Sequence, residues 1–106
     1  MKKIILLLLC AIALRAEAAL EGQRVYNQML RANTAINGAD LAKQHSGDEW
    51  QKLFEEEGDA FATEISAQYP AASKYLHSAQ FRRQREALLA FFVRYANDSN
   101  STPLSD

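Results

Sequence analysis

The stretch VYNQMLRANTAING, Val25 to Gly38, joins a helical repeat of apolar residues to an abrupt stop. Val25 and Met29 are four residues apart, and so are Tyr26 and Leu30. Residues at this spacing lie on one face of an α-helix, so the pattern predicts a helix with an apolar face toward a core. The Asn-Gly pair at the end of the stretch is typical of a turn, and it predicts that the helix has ended before Gly38.

Outward from this stretch, the predicted first helix runs from about Leu20 to about Asn33. Thr34 to His45 is predicted to be a loop with a turn at Ala39 to Lys43, because its apolar residues follow no sustained helical period.

The next segment carries a helix-start signal in Ser46-Gly47-Asp48-Glu49. The Ser46 hydroxyl can accept a hydrogen bond from a free backbone N–H, and Glu49 can reach back to the backbone N–H of Ser46. This capping box predicts a helix that runs to about Glu57 and is ended by Gly58.

Three further segments complete the chain. Asp59 or Ala60 is expected to open a helix, Pro70 a short turn or helix, and Ser78 to cap a last helix over Ala79 to Ala96. Few β-branched residues and no polar–apolar alternation are present, so no strand is predicted. The predicted fold class is all-α, a single small domain of four to five helices.

The predicted core is mainly aromatic. Large apolar side chains recur on one face of each predicted helix, and burying each contributes roughly 1.5–3 kcal/mol. The candidates are Tyr26, Trp50, Phe54, Phe61, Tyr69, Tyr75, Phe81, Phe92 and Tyr95.

The first eighteen residues are predicted to be a secretory signal peptide. Lys2 and Lys3 precede the apolar run IILLLLCAIAL, and the small residues Ala16 and Ala18 follow it as a cleavage signal. The run has about half the length needed to cross a bilayer. We therefore expect cleavage after Ala18, export to the periplasm and no membrane span in the mature chain.

The mature chain is expected to comprise a domain over residues 19–97 and a flexible tail over residues 98–106. Cys10, the only cysteine, leaves with the signal peptide, which removes disulfides and thiolate metal ligands. Nine Lys/Arg and twelve Asp/Glu remain after the predicted cleavage, a net charge of −3. This mildly acidic, scattered pattern argues against a nucleic-acid partner.

Four features follow one another in a set order along the mature chain. They are Gly22, Val25 and Tyr26 in the first helix, Gly38-Ala39 with Leu41 in the loop, His45 to Trp50 at the capped helix, and Phe81 to Pro103 at the last helix and tail. This order resembles small bacterial periplasmic cytochromes c of class I, whose first helix reads roughly Gly-x-x-hydrophobic-Tyr-x-x-x-Cys-x-x-Cys-His. The resemblance implies a cytochrome c-like fold in which the N- and C-terminal helices pack together.

The haem-attachment motif of that family is missing from this chain. In the matching register, Leu30 and Asn33 occupy the two cysteine positions, and Thr34 occupies the proximal histidine position. Leu and Asn form no thioethers, and Thr is not a strong axial ligand. The resemblance therefore implies vestigial attachment positions and no covalent haem. The vacated space is then either filled by side chains or left as a pocket lined by Trp50, Phe54 and Phe92.

Met29, His45 and His77 are the weak candidate ligands for a haem bound without covalent attachment. For each histidine the alternative is an ordinary surface or cap-adjacent residue, and for Met29 it is core filler. None has ligand spacing, so no cofactor and no metal site are predicted.

The remaining motifs have two interpretations each. Glu55-Glu56-Glu57 with Asp59, and Arg82, Arg83 and Arg85, are either solvated helix faces or docking patches for charged partners. Asn97 and Asn100 begin Asn-x-Ser/Thr sequons. These are either glycosylation sites or chance matches in a Ser/Asn-rich tail.

The sequence contains no nucleophile constellation and no phosphate-binding glycine loop, so we expect no enzyme. The prediction is a periplasmic cytochrome c-like domain without covalent haem that acts as a non-catalytic binding or accessory module. The resemblance implies a link to respiratory electron transfer. Two alternatives are an unrelated secreted helical interaction protein, of the inhibitor, immunity or chaperone type, and an electron carrier with non-covalent haem. The protein partner and the oligomeric state are not predicted.

Overall fold

The computed structural model describes residues 17–99. Residues 1–16 of the predicted signal peptide and residues 100–106 of the predicted tail, Asn100 included, lie outside this part. The described part is helical and contains no strand, which confirms the all-α fold class. Its elements are α1 (residues 17–29), α2 (Arg31–Thr34), α3 (Gly38–Ala42), α4 (Gly47–Leu53), α5 (Glu55–Gln68), a 3₁₀ turn (Pro70–Ala72), α6 (Ser73–Leu76) and α7 (Ala79–Arg94).

The first and last helices cross at a glycine. Gly22 of α1 lies so close to α7 that a Cβ atom at this position would overlap the carbonyl oxygen of Ala87 and lie 2.7 Å from Cβ of Phe91. One turn later, the ring of Tyr26 lies 6.1 Å from the ring of Phe91, centroid to centroid. The predicted packing of the N- and C-terminal helices is therefore confirmed.

The segment predicted as a loop, Thr34 to His45, contains the short helix α3 near the predicted turn, and α2 is a separate turn at the end of the predicted first helix. Ala35, with φ 57°, ends α2 in the left-handed region, and its N–H donates to the carbonyl oxygen of Arg31. Asn37 then caps α3, because its side chain accepts a hydrogen bond from the N–H of Ala39. α6 lies in the segment after Pro70 that was predicted as a short turn or helix. Counted with α2 and α3 as separate elements, residues 17–99 contain seven α-helices, against the predicted four to five.

The capping box that starts α4 is present. The Ser46 hydroxyl accepts from the N–H of Glu49 at 3.2 Å, and the Glu49 carboxylate accepts from the N–H of Ser46 at 2.9 Å. Ser78 likewise caps α7, since its hydroxyl accepts from the N–H of Phe81. Both predicted helix starts are confirmed, and both depend on short-range patterns.

The predicted end of α4 at Glu57 is wrong, because α4 ends at Leu53. Glu56, Glu57 and Gly58 all have positive φ, at 53°, 63° and 81°. This left-handed turn separates α4 from the regular part of α5. It brings the ring of Phe61 back onto that of Phe54, with a centroid distance of 4.4 Å, and tertiary packing thus overrides the helix propensity of the glutamates.

The core joins all of the longer helices. Eight of the nine predicted aromatic core residues are buried, and the exception is Tyr69, which is half-buried. Phe91 was not predicted, yet only 1% of its surface is exposed. Within residues 17–99, no helix combines the length and apolar composition needed to cross a membrane.

Candidate functional site

The positions that match the haem-attachment motif are built into the scaffold where α1 meets α2. Leu30 is fully buried in the core, and Thr34 is 6% exposed. Asn33, between them, is exposed, and its side-chain amide donates to the carbonyl oxygen of Met29 at 3.1 Å. Two of the three predicted vestigial positions are thus structural elements of this fold.

Thr34 belongs to a closed ring of three hydrogen bonds. The Tyr26 hydroxyl donates to the carbonyl oxygen of Ile36 at 2.7 Å. Having used its only proton there, it accepts from the Thr34 hydroxyl at 2.9 Å. The Thr34 oxygen in turn accepts from the N–H of Ile36 at 3.4 Å. The ring ties α1 to the chain that follows α2 and satisfies the buried polar groups at this junction.

The environment of Tyr26 favours its neutral form. Burial raises the pKa of the Tyr26 hydroxyl, and the hydrogen bond from Thr34 offsets part of that effect. The hydroxyl therefore remains a donor to Ile36 at neutral pH, and the ring is intact under ordinary conditions.

The space among Trp50, Phe54 and Phe92 is occupied by the rings themselves. Trp50 stacks on Phe92 with centroids 4.5 Å apart and planes 17° apart, which is direct contact. Phe61 packs against both Phe54, at 4.4 Å, and Phe92, at 5.5 Å. Trp50 and Phe92 therefore pack on each other in this structure. The indole N–H of Trp50 donates to the carbonyl oxygen of Ala42 at 2.8 Å, which fixes the orientation of the ring.

The three weak ligand candidates each have a different partner. The sulfur of Met29, which is half-buried, accepts from the side-chain amide of Gln80 at 3.9 Å. The exposed His77 makes a contact of 2.8 Å from Nδ1 to the carbonyl oxygen of Ser73, one helical turn earlier. Residues 17–99 contain no group of three or more His, Asp, Glu or Cys side chains placed to hold a metal ion.

His45 forms a second polar cluster that spans several elements. Its Nε2 lies 2.8 Å from Oε2 of Glu64 in α5, and its Nδ1 lies 3.7 Å from Oε2 of Glu49 in α4. The imidazole ring stands perpendicular to Trp50, with centroids 4.8 Å apart. The His45 carbonyl oxygen accepts from the N–H of Asn97 at 3.1 Å. These contacts make His45 a junction between helices, with Nε2 hydrogen-bonded to Glu64 and the Glu49 carboxylate near Nδ1.

The chain beyond α7 begins by docking onto α4. The carboxylate of Asp98 accepts from the N–H of Gly47 at 3.0 Å, and the N–H of Ser99 donates to Ala96. Contacts with the domain thus continue past residue 97.

The two charged runs lie on the surface. Glu55, Glu56, Glu57 and Asp59 are exposed, as are Arg82 and Arg83, and Arg85 is half-buried. Within residues 17–99, no ion pair involves any of these side chains. Gly58 lies against the ring of Phe81, so the acidic turn is next to the start of α7.

Comparison with family models, curated proteins and solved structures finds no match for this chain.

Sequence reasoning missed the partner of His45 because Glu64 is nineteen residues away and no motif connects them. It also missed the hydrogen-bond ring, although Tyr26 and Thr34 are both in the opening stretch. A tyrosine in a core requires a partner for its hydroxyl, and Thr34 is the nearest serine or threonine in sequence. The need for such a partner is the sequence signal that could have revealed the hydrogen-bond ring.

Proposed function

We propose that this chain is an exported, cytochrome c-like helical module that carries no covalent haem and acts by docking to a protein partner. The observation that carries the proposal is the structural use of the attachment positions. Leu30 is fully buried in the core, and Thr34 closes the hydrogen-bond ring with Tyr26 and Ile36. At these positions the side chains serve packing and hydrogen bonding, and none of them can form a thioether bond to haem.

Two further features support the proposal, one for the resemblance and one for the absence of haem. The glycine of the first helix, Gly22, is the residue that lies against α7, as expected where the terminal helices of a cytochrome c-like fold cross. The aromatic side chains Trp50 and Phe92, which would line a haem space, stack on each other instead. This packing favours a haem-free module over an electron carrier.

A non-catalytic role fits the chemistry of the described side chains. Both ring nitrogens of His45 contact carboxylates. Nδ1 of His77 lies 2.8 Å from the carbonyl oxygen of Ser73 and 3.3 Å from its hydroxyl. This exposed Ser73–His77 contact has no acidic third member among the ion pairs of residues 17–99. The surface provides two groups of exposed charges without ion-pair partners among residues 17–99. Such groups can steer a partner of opposite charge by long-range attraction.

The first experiment tests the haem-free claim together with the register. The chain is produced with residues 1–18 in a host able to attach haem c, and the visible spectrum of the purified protein is recorded. The matched control is the triple variant Leu30→Cys, Asn33→Cys, Thr34→His, which restores the family motif. We expect no Soret band for the natural sequence and a covalent haem signal in the variant.

The natural sequence and the triple variant test different parts of the proposal. A stoichiometric Soret band in the natural sequence would overturn the haem-free claim. A folded, helical triple variant that never acquires haem would overturn the cytochrome c register and favour an unrelated secreted interaction protein. Periplasmic fractionation and N-terminal sequencing test export, with Ala19 expected as the first residue.

The second experiment tests docking. Arg82→Glu with Arg83→Glu reverses one charged group, and Glu56→Lys with Glu57→Lys reverses the other. Binding to a periplasmic partner should weaken in one double variant and persist in the other, and it should weaken with added salt. Binding that is unchanged in both variants would exclude these groups as the docking surface.

A further inference from the structure

Asn37 is followed by Gly38, and glycine is the residue whose backbone nitrogen can most easily attack the side-chain amide of a preceding asparagine. We propose that Asn37 is a site of spontaneous deamidation whose rate is set by the opening of helix α3. In this reaction the backbone nitrogen of Gly38 loses its proton to hydroxide and attacks Cγ of Asn37. The new N–Cγ bond forms as the Cγ–Nδ2 bond breaks, and ammonia leaves. Water then opens the resulting five-membered succinimide ring.

Asn37 differs from the other asparagines in the residue that follows it. The nitrogen of a residue with a Cβ atom is hindered from approaching the preceding side chain, whereas glycine has no such atom. The five pairs in the chain are Asn27-Gln28, Asn33-Thr34, Asn37-Gly38, Asn97-Asp98 and Asn100-Ser101. Only one of them ends in glycine, so the chemistry selects Asn37.

The fold requires the glycine of this pair and favours a capping residue, such as asparagine, before it. A Cβ atom at Gly38 would lie 2.8 Å from Cζ of Phe91 and 2.9 Å from Cδ1 of Tyr26, closer than packed carbon atoms tolerate. At position 37, the start of α3 needs a side chain that accepts from the N–H of Ala39, and Asn is among the preferred capping residues. Packing therefore fixes the glycine, and capping restricts position 37 to a small set of residues that includes asparagine.

The same structure holds Asn37 away from the reactive geometry. Its Oδ1 accepts from the N–H of Ala39 at 2.9 Å, and its carbonyl oxygen accepts from the N–H of Leu41 at 3.0 Å. Ring closure requires rotation about the Cα–C bond of Asn37 so that the Gly38 nitrogen reaches Cγ. That rotation breaks both hydrogen bonds, and Gly38 is itself buried. The native helix therefore blocks the reaction, and local opening of α3 permits it.

The two products have different consequences for the fold. Hydrolysis at the side-chain carbonyl gives aspartate, which is as good a cap as asparagine. Hydrolysis at the backbone carbonyl gives isoaspartate, which lengthens the main chain by one carbon. That extra atom displaces Gly38 where Phe91 and Tyr26 leave no room, so the isoaspartyl form should dock α3 poorly and strain the hydrogen-bond ring of Tyr26.

The test compares the purified chain in mildly alkaline buffer with and without denaturing urea. Peptide mapping by mass spectrometry locates the modified residue, and anion exchange separates the products by their added negative charge. We expect Asn37 to react before every other asparagine, and about tenfold or more faster in urea, because capping and helical hydrogen bonds must open first. Amide hydrogen exchange at Ala39 and Leu41 measures that opening independently.

Matched variants complete the experiment. Asn37→Ser keeps a cap and should abolish the modification, while Asn37→Asp imitates the normal product and should unfold like the natural chain. The isolated isoaspartyl form should unfold at lower urea concentration than Asn37→Asp. Equal rates in native and urea-treated chains, or faster reaction at another asparagine, would overturn the proposal. Equal stability of the two product forms would overturn its structural consequence.

Discussion

Gly22 of α1 and Ala87 of α7 lie in backbone contact, with no space for a side chain between them. A Cβ atom at residue 22 would overlap the Ala87 carbonyl oxygen. The two helices can approach this closely because residue 22 has only a hydrogen atom in place of a side chain. The close crossing allows Tyr26 of α1 to reach Phe91 and Phe92 of α7. The fold depends on this close approach as much as on its aromatic core.

The first prediction follows from this contact. Gly22→Ala should lower the free energy of unfolding by roughly 1–3 kcal/mol, the usual cost of overpacking. The loss should appear although alanine favours helices by ~1 kcal/mol over glycine. Urea unfolding followed by circular dichroism measures it. Gly47→Ala is the control, because its new Cβ would meet Val93 at an ordinary 3.6 Å. A Gly22→Ala chain as stable as the natural one would contradict the crossing.

The second prediction concerns the hydrogen-bond ring. Thr34→Val keeps the shape of the side chain but leaves the N–H of Ile36 and one lone pair of Tyr26 without their partners. Unfolding should become easier by roughly 1–2 kcal/mol. Asn33→Ala, at the exposed neighbouring position, should change stability by less than about 0.5 kcal/mol. If both variants unfold at the same urea concentration, the ring contributes nothing.

The features predicted correctly are those encoded within a few residues. Ser46 with Glu49, and Ser78, announce helix starts because a cap and the N–H it satisfies are three residues apart. The helix end at Leu53 was missed because its cause is side-chain packing and not a capping pattern. The chain turns early so that Phe61 can pack on Phe54, and no local signal in Glu55-Glu56-Glu57 opposes a helix.

Phe91 and Glu64 illustrate the same limit. A single apolar stripe on α7 predicts burial of Phe92, but Phe91 is buried as well because α1 covers a second side of the helix. Glu64 meets His45 across nineteen residues, and only the packed fold brings them to 2.8 Å. The candidate site was therefore predicted as a set of positions, whereas its contacts required the structure.

The third prediction concerns alkaline pH. Burial raises the pKa of Tyr75 from its ordinary 10.0 to about 12, and its hydroxyl donates to Gln84 at 2.7 Å. Between these values the unfolded state releases the proton and the native state keeps it, so stability falls as pH rises through this window. The loss should be roughly 1–2 kcal/mol, since nearby solvent screens part of the cost.

Tyr75→Phe is the test of that assignment. Without the phenol, the free energy of unfolding should decline less steeply above about pH 10. The slopes of the two chains are compared by urea unfolding at a series of pH values. Identical slopes would mean that another group causes the alkaline loss.

The fourth prediction concerns acid pH. Hydrogen bonds from the backbone N–H and the hydroxyl of Ser46 lower the pKa of Glu49 below its ordinary value. The native carboxylate therefore stays ionised where the unfolded one is already protonated, and its contribution is lost as pH falls through the native pKa. Glu49→Gln should flatten the acid limb of the stability profile. An NMR titration in which the Glu49 carboxyl titrates at its ordinary pKa would contradict this prediction.

The last prediction concerns the left-handed turn between α4 and α5. Glu57 has a φ of 63°, a conformation that costs an L-residue roughly 1–2 kcal/mol and glycine almost nothing. Glycine also loses more conformational freedom on folding, by roughly 0.5–1 kcal/mol. The first term is the larger, so Glu57→Gly should stabilise the chain by up to about 1 kcal/mol.

Two control variants separate strain from charge in this turn. Glu57→Ala removes the same carboxylate but keeps a Cβ, so it should give no comparable gain in urea unfolding. Gly58→Ala should do the reverse of Glu57→Gly, because its φ is 81° and its new Cβ would lie 3.1 Å from Cζ of Phe81. Equal stabilisation by Glu57→Gly and Glu57→Ala would contradict the strain argument. It would mean that charge repulsion within the acidic run, and not backbone strain, destabilises the turn.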